Sequence, residues 1–151
     1  MKKIRISRAV TLCTFISLAI GILGFTTRYG LDGYEVYLND KLVLKQYVNQ
    51  VHNLRVLPLQ KAKETEQLHV VYKHCQRENG PGTGRSIALK TEEGTTLRKW
   101  EFAEAKNGDT RMTIALKDLI QLQKKNTGHQ LSLFYSSREL DKAEMLVVLR
   151  F

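Results

Sequence analysis

Cysteine is scarce in this chain: the 151 residues hold two, Cys13 and Cys75. Cys13 falls inside an N-terminal hydrophobic run, so the rest of the chain has one thiol and no internal disulfide can staple it. A single thiol in such a body is expected to be buried, because free cysteine is among the most buried residue types. Metal-ligand spacing is also missing, since His52 and His129 stand isolated in sequence and no paired-ligand pattern occurs. No metal and no cofactor is therefore expected. The chain has no G-x-S-x-G elbow. Its acidic neighbours, Glu92 with Glu93 and Glu101 with Glu104, sit where turn and strand positions are solvated rather than paired across a reacting bond. There is no internal repeat and no low-complexity tract. With no constellation that specifies a reaction, the expectation is a protein that is not an enzyme.

Acidic side chains are absent from the first 28 residues, which carry Lys2, Lys3, Arg5, Arg8 and Arg28. The net charge of +9 is thus split. Beyond Arg28 the chain has 19 basic groups against 15 acidic ones, interleaved along its length. A nucleic-acid binder concentrates its positive charge in a patch or stripe; here five of the nine net charges belong to the N-terminus, and no nucleic-acid partner is expected.

Charge is missing again from residues 9–25, AVTLCTFISLAIGILGF, which follow the basic residues directly. The segment resembles a signal sequence or signal anchor. An uncharged helix of this kind partitions into the bilayer while flanking Lys and Arg stay on the cytoplasmic side. Its length lies between the core of a cleaved signal and a spanning helix. Ala19-Ile20-Gly21 fits a cleavage site, but cutting there leaves residues 22–25 on the product, which favours retention. The expected layout is a signal anchor or signal peptide over 1–28 and an exported domain over 29–151. That places a single-pass anchor in the cytoplasmic membrane with the C-terminal domain periplasmic, or a free periplasmic protein if the segment is removed.

Helical periodicity is nearly absent from the exported part. Only residues 117–125 suggest a helix, with Leu116, Leu119 and Ile120 on one face and Gly128 beyond it. The remainder reads as short strands between turns: 34–38 and 41–48 around Asn39-Asp40, then 54–59, 68–75, 85–90, 95–104 after Glu93-Gly94, 111–116 after Asn107-Gly108, 130–135 and 144–150. This predicts an all-β domain with one short helix, an antiparallel β-sandwich of immunoglobulin-like architecture, although the Cys–Trp–Cys signature of that fold is missing.

His74 and Cys75 are neighbours of suggestive chemistry, but adjacent strand residues face opposite ways. Leu68, Val70, Tyr72 and His74 then share one face, and His69, Val71, Lys73 and Cys75 the other. Asn79, Gly80, Pro81, Gly82, Thr83, Gly84, Arg85 and Ser86 look like a phosphate loop, yet Asn79 stands where glycine is needed, Arg85 replaces lysine, and a strand follows instead of a helix. The segment reads as a long flexible hairpin loop, with Asn79, Gly80, Gly82, Gly84 and Arg85 as candidate partner contacts. Trp100 and Phe102 alternate with charges and read as core. Met145, Val147, Leu149 and Phe151 resemble the last strand of an outer-membrane barrel, but Leu146 and Val148 between them are apolar too, which fits a buried central strand better. The function expected is a non-enzymatic binding or assembly module of the bacterial cell envelope, with an envelope protein as partner through the loop and exposed sheet edges. The alternatives are a sugar- or lipid-binding β-domain using tyrosines and Trp100, and a small Cys/His-dependent redox or metal protein.

Overall fold

The computed structural model describes residues 31–48, 55–75, 80–105 and 110–151. The hydrophobic run at 9–25, Asn79 and the Asn107-Gly108 turn lie outside the described residues. Among the described residues no helix is long and apolar enough to cross a membrane.

Among the described residues nine strands and one helix follow in chain order: β1 Gly33–Leu38, β2 Lys41–Tyr47, β3 Val56–Pro58, β4 Gln67–Lys73, β5 Ser86–Thr91, β6 Thr96–Glu101, β7 Met112–Ala115, α1 Leu116–Lys125, β8 Leu131–Ser136 and β9 Glu144–Arg150. They make two sheets, one in the order β2-β1-β4-β7 and the other β3-β9-β8-β5-β6. The turns sit where turn chemistry puts them. Asn39 adopts φ 52° between β1 and β2, and Gly94 adopts φ 86° between β5 and β6, left-handed conformations that Asn and Gly accept most readily.

One pairing departs from the antiparallel expectation. β3 runs parallel to β9, with Val56 opposite Val148 and Pro58 opposite Arg150. The chain leaves β2 in the first sheet, crosses to the second for β3, and returns to the first for β4. That crossover sets the direction of β3 independently of a hairpin. β3 is an edge, which is where a strand tolerates the missing N–H of Pro58. Arg55 fastens its start, reaching Glu144 at 2.6 Å and lying over the Tyr34 ring.

Strand alternation decides the core. Leu68, Val70, Tyr72 and His74 all point inward and are buried, as their shared parity requires. Tyr34 and Val36 of β1, Leu133 and Tyr135 of β8, and Leu146 and Val147 of β9 join the same cluster, so one core serves both sheets. β9 lies between β8 and β3, the central position its two apolar faces call for. Trp100 and Phe102 pack against the core from partly buried positions. Helix α1 has no side-chain cap; the N–H of Leu116 is taken instead by the Glu66 carbonyl at 3.0 Å. Leu116 and Leu119 are its buried residues.

Helix α1 is held to the body by that face. Leu119→Ala is expected to cost about 2–5 kcal/mol as a core truncation. Leu42→Ala, on an exposed edge residue, is expected to stay within about 0.5 kcal/mol. Urea unfolding of the full chain checks both, with the slope unchanged and the midpoint moved only for Leu119→Ala.

Candidate functional site

The glycine-rich segment and the inward end of β4 meet at one end of the two sheets. Leu68, Val70 and Tyr72 carry the inward parity of β4 to His74, which is bridged to Gly80 by its N–H on the Gly80 carbonyl at 3.0 Å. On β8 the parity of Leu131, Leu133 and Tyr135 continues to Ser137, just past the strand end. Asp32 stands just before β1. These three elements deliver a carboxylate, an imidazole and a hydroxyl to one spot.

Asp32 Oδ2 accepts from His74 Nδ1–H at 3.0 Å, and Ser137 Oγ lies 3.1 Å from His74 Nε2. Tyr135 is also within reach of Nε2, at 3.2 Å, and donates its own proton to the Pro81 carbonyl at 3.2 Å. The second Asp32 oxygen accepts the Cys75 N–H at 2.8 Å, and the Tyr72 hydroxyl reaches Oδ2 at 3.3 Å. Cys75 thus joins the cluster through its backbone, while its thiol is free and partly buried. Tyr72 and Tyr135 stack at 4.1 Å between ring centroids, which ties the sheets together beneath the cluster. Burial pushes the Tyr34 and Tyr135 phenols up to about 12 and raises Tyr72 further. All three stay protonated donors at neutral pH.

A carboxylate, an imidazole and a serine hydroxyl in that order are the parts of an acyl-transfer triad. Two further features of the geometry surround the trio. Gly82, at φ 74°, is seated on the ring: a Cβ there would come within 2.6 Å of His74 Nε2 and 2.9 Å of the Tyr135 hydroxyl. The N–H after the serine, the usual oxyanion donor, is spent, since Arg138 N–H donates to the Thr83 carbonyl at 2.9 Å. The loop is latched to the body beside the trio by the His74 N–H on the Gly80 carbonyl and the Tyr135 hydroxyl on the Pro81 carbonyl.

The far side of the loop is fastened too. The Thr83 N–H and hydroxyl both donate to Glu139, at 2.9 and 2.8 Å, and the Gly84 N–H donates to Glu104 at 3.0 Å. Burial works to raise the Glu139 carboxyl; the Thr83 bonds and Ser137 outweigh it and bring it down to about 2. Residues 80–84, the described part of the expected hairpin loop, are therefore hydrogen-bonded to the body on both sides. Of the candidate contact residues, Gly80 and Gly82 are folded inward onto His74, Gly84 is exposed, and Asn79 lies outside the described residues. Arg85 is placed inside the body, 4 % exposed, with its guanidinium donating to the carbonyls of Thr110 at 2.9 Å and Ala103 at 2.6 Å. Among the described residues, no group of three or more His, Cys, Asp or Glu side chains is placed to share a metal ion.

The Asp32–His74–Ser137 meeting has no local sequence pattern, because its members are separated by 42 and 63 positions. One signal was available in the inward parity of His74 and Ser137: buried polar side chains must find partners. No protein-family model, curated protein or solved structure matches the chain.

Two predictions follow from the latch. Gly82→Ala combines a left-handed backbone with a clash on His74 and is expected to cost about 3 kcal/mol. Gly94→Ala has an open turn around it, with nothing within 4 Å of the added Cβ, and is expected to cost about 1 kcal/mol. Thermal unfolding of the two variants compares them directly. The second concerns pH. A carboxyl lowered from 4.5 to about 2 on folding contributes stability that is complete above the unfolded value and is lost as pH falls through the folded one. Amide-exchange protection at Thr83 should decline as pH falls from 4.5 to 2, and the decline should be absent in Glu139→Gln.

Proposed function

We propose that this chain is a non-enzymatic binding or assembly module of the bacterial cell envelope. Residues 9–25 hold it in the cytoplasmic membrane, and the body beyond works on the outer side. The observation that carries the reading is the edge strand β2. It is seven residues long and ends its sheet among the described residues. It also bears Leu42 and Tyr47, each 46 % exposed. Native sheets blunt their edges with short strands, proline, charge or a covering element. β2 carries Lys41 and Lys45 beside its apolar residues, and the other edges among the described residues are shorter. β3 has three residues and ends on Pro58, β7 has four and runs straight into α1, and β6 carries Arg98, Lys99 and Glu101. A long edge with exposed apolar side chains suits addition of a partner strand, where main-chain bonds supply affinity and side-chain contacts specificity. The pinned loop at 80–84 adds a pre-shaped rim, which avoids the ordering cost of a mobile one.

An immunoglobulin-like sandwich is the finer architecture we infer for the body. The order β9-β8-β5-β6 matches the G-F-C-C′ sheet of variable-type domains, and the β4–β7 pair matches B and E. The Tyr72–Tyr135 stack joins β4 to β8, the two strands that a disulfide joins in antibody domains.

A photo-crosslinking amino acid in place of Leu42, in the full chain expressed in bacterial membranes, is expected to give one discrete protein adduct. The same group in place of Glu93, on the β5–β6 turn, should give none. Absence of any adduct at Leu42 across growth conditions, or equal labelling at both positions, would sink the assignment.

A further inference from the structure

The outer face of the first sheet contains a small cleft that shares Tyr47 with the edge-strand reading but extends beyond the edge onto β1 and β4. Its origin is one missing side chain. Across that face, Gly33 of β1 lies between Tyr47 of β2 and Lys73 of β4. With no Cβ at Gly33, the Tyr47 ring lies down over the backbone, its Cδ1 3.2 Å from where that Cβ would stand. The next outward residue on β1 is Glu35, opposite Lys45. Leu31 closes the near end. The result is a cleft of about 340 Å³ lined by Leu31, Gly33, Glu35, Lys45, Tyr47 and Lys73 among others. That lies at the small end of ligand sites, which run roughly 300–1,000 Å³.

The chemistry of the lining is divided. One side is an aromatic face, Tyr47, the most exposed of the described tyrosines that the sheets place. The other is a row of opposite charges. Glu35 pairs with Lys45 at 2.9 Å, has Lys73 at 4.0 Å, and accepts from the Tyr37 hydroxyl at 2.7 Å. Lys45, then the Tyr37 hydroxyl, hold the Glu35 carboxyl below its ordinary value, so at neutral pH it only accepts hydrogen bonds while the lysines only donate. The two lysines outnumber the one glutamate, and an anion would compete with Glu35 for Lys45 and Lys73. A hydroxyl suits this row without rearrangement, because one hydroxyl donates to a carboxylate and accepts from an ammonium at the same time. A ligand that also carries an apolar face for the tyrosine ring is a sugar, whose C–H faces are apolar and whose edges are hydroxyl-bearing.

We infer that this cleft is a binding site for a neutral saccharide, with the sugar ring on Tyr47 and its hydroxyls bridging Glu35 to Lys45 and Lys73. The site lies on the sheet face, beside the β2 edge, and does not depend on a protein strand docking there. It also moves the carbohydrate alternative away from Trp100, which packs against the core, to a tyrosine that is open to solvent.

The test uses the full chain in a detergent without a sugar headgroup, observed by saturation-transfer NMR. Chitobiose and maltose are the neutral probes and inorganic phosphate, followed by phosphorus-31 line broadening, is the anionic one. At least one disaccharide is expected to receive saturation, strongest at its ring C–H protons. Tyr47→Ala should lower the association constant about tenfold. Gly33→Ala, whose backbone φ is not in the left-handed region, should keep the melting temperature near that of the parent while weakening binding, because the new methyl group occupies the hollow. Glu35→Gln separates the ligand classes: it weakens a bridged hydroxyl and strengthens an anion. Leu42→Ala, on the same strand but outside the cleft, should leave binding unchanged. The inference is overturned if neither disaccharide receives saturation, if Tyr47→Ala binds as tightly as the parent, or if Glu35→Gln tightens binding and phosphate alone associates.

Discussion

The Asp32 carboxylate is the point on which one end of this molecule depends. It stands outside every strand, yet it receives the imidazole of His74, the hydroxyl of Tyr72 and the N–H of Cys75. Through His74 the chain of bonds continues to Ser137 and Tyr135 in the other sheet. A buried imidazole without partners is costly; with both nitrogens engaged it becomes a fixed strut between the sheets. The loop from Gly80 to Gly84 then rests on that strut. Removing the carboxylate would leave the ring, the tyrosine and a strand-end amide short of a partner together, so the site behaves as a unit rather than as separate contacts.

The two faces of the first sheet contrast. Near Asp32 the polar groups are buried and matched, and the glycine loop is held by bonds on both sides. On the outer face Glu35 meets Lys45, Lys73 and the Tyr37 hydroxyl, and the space above them is open. Exposed pairs of that sort contribute little to stability, so those residues are free to serve recognition with small loss to the fold. The sites that hold the body together and the sites offered for contact are therefore carried by opposite faces of the same strands. Tyr34 lies inward and Glu35 outward on β1; Tyr72 lies inward and Lys73 outward on β4.

Much of the strand framework was legible in the sequence because alternation and turn chemistry are local. Leu68, Val70, Tyr72 and His74 announce their shared face within seven residues, and Asn39 and Gly94 mark turns that require a left-handed backbone. The face of α1 is similarly plain from Leu116 and Leu119. What was not legible depends on distant parts of the chain. The glycine segment suggests flexibility by composition; the glycines at 82 and 84 instead allow the backbone to settle against His74 and Arg138, side chains whose positions no nearby residue indicates. Arg85 looks like a surface cation until the carbonyls of Ala103 and Thr110 are seen to surround it. The parallel course of β3 has no sequence marker either, because direction in a sheet is set by the path between strands and not by the strand itself.

That parallel pair has a consequence for how the molecule is assembled. β1, β2, β5 and β6 find partners through tight turns, so those hairpins form from neighbouring residues. β3 has only β9 beside it, and Arg55 meets Glu144 across 89 positions. Contacts of such separation close large loops before any reward arrives, and they slow folding. The second sheet is therefore complete only after its last strand has been made and threaded between β8 and β3. Until then β3 waits as an unpaired segment, while the β1–β2 and β5–β6 hairpins can already form from neighbouring residues.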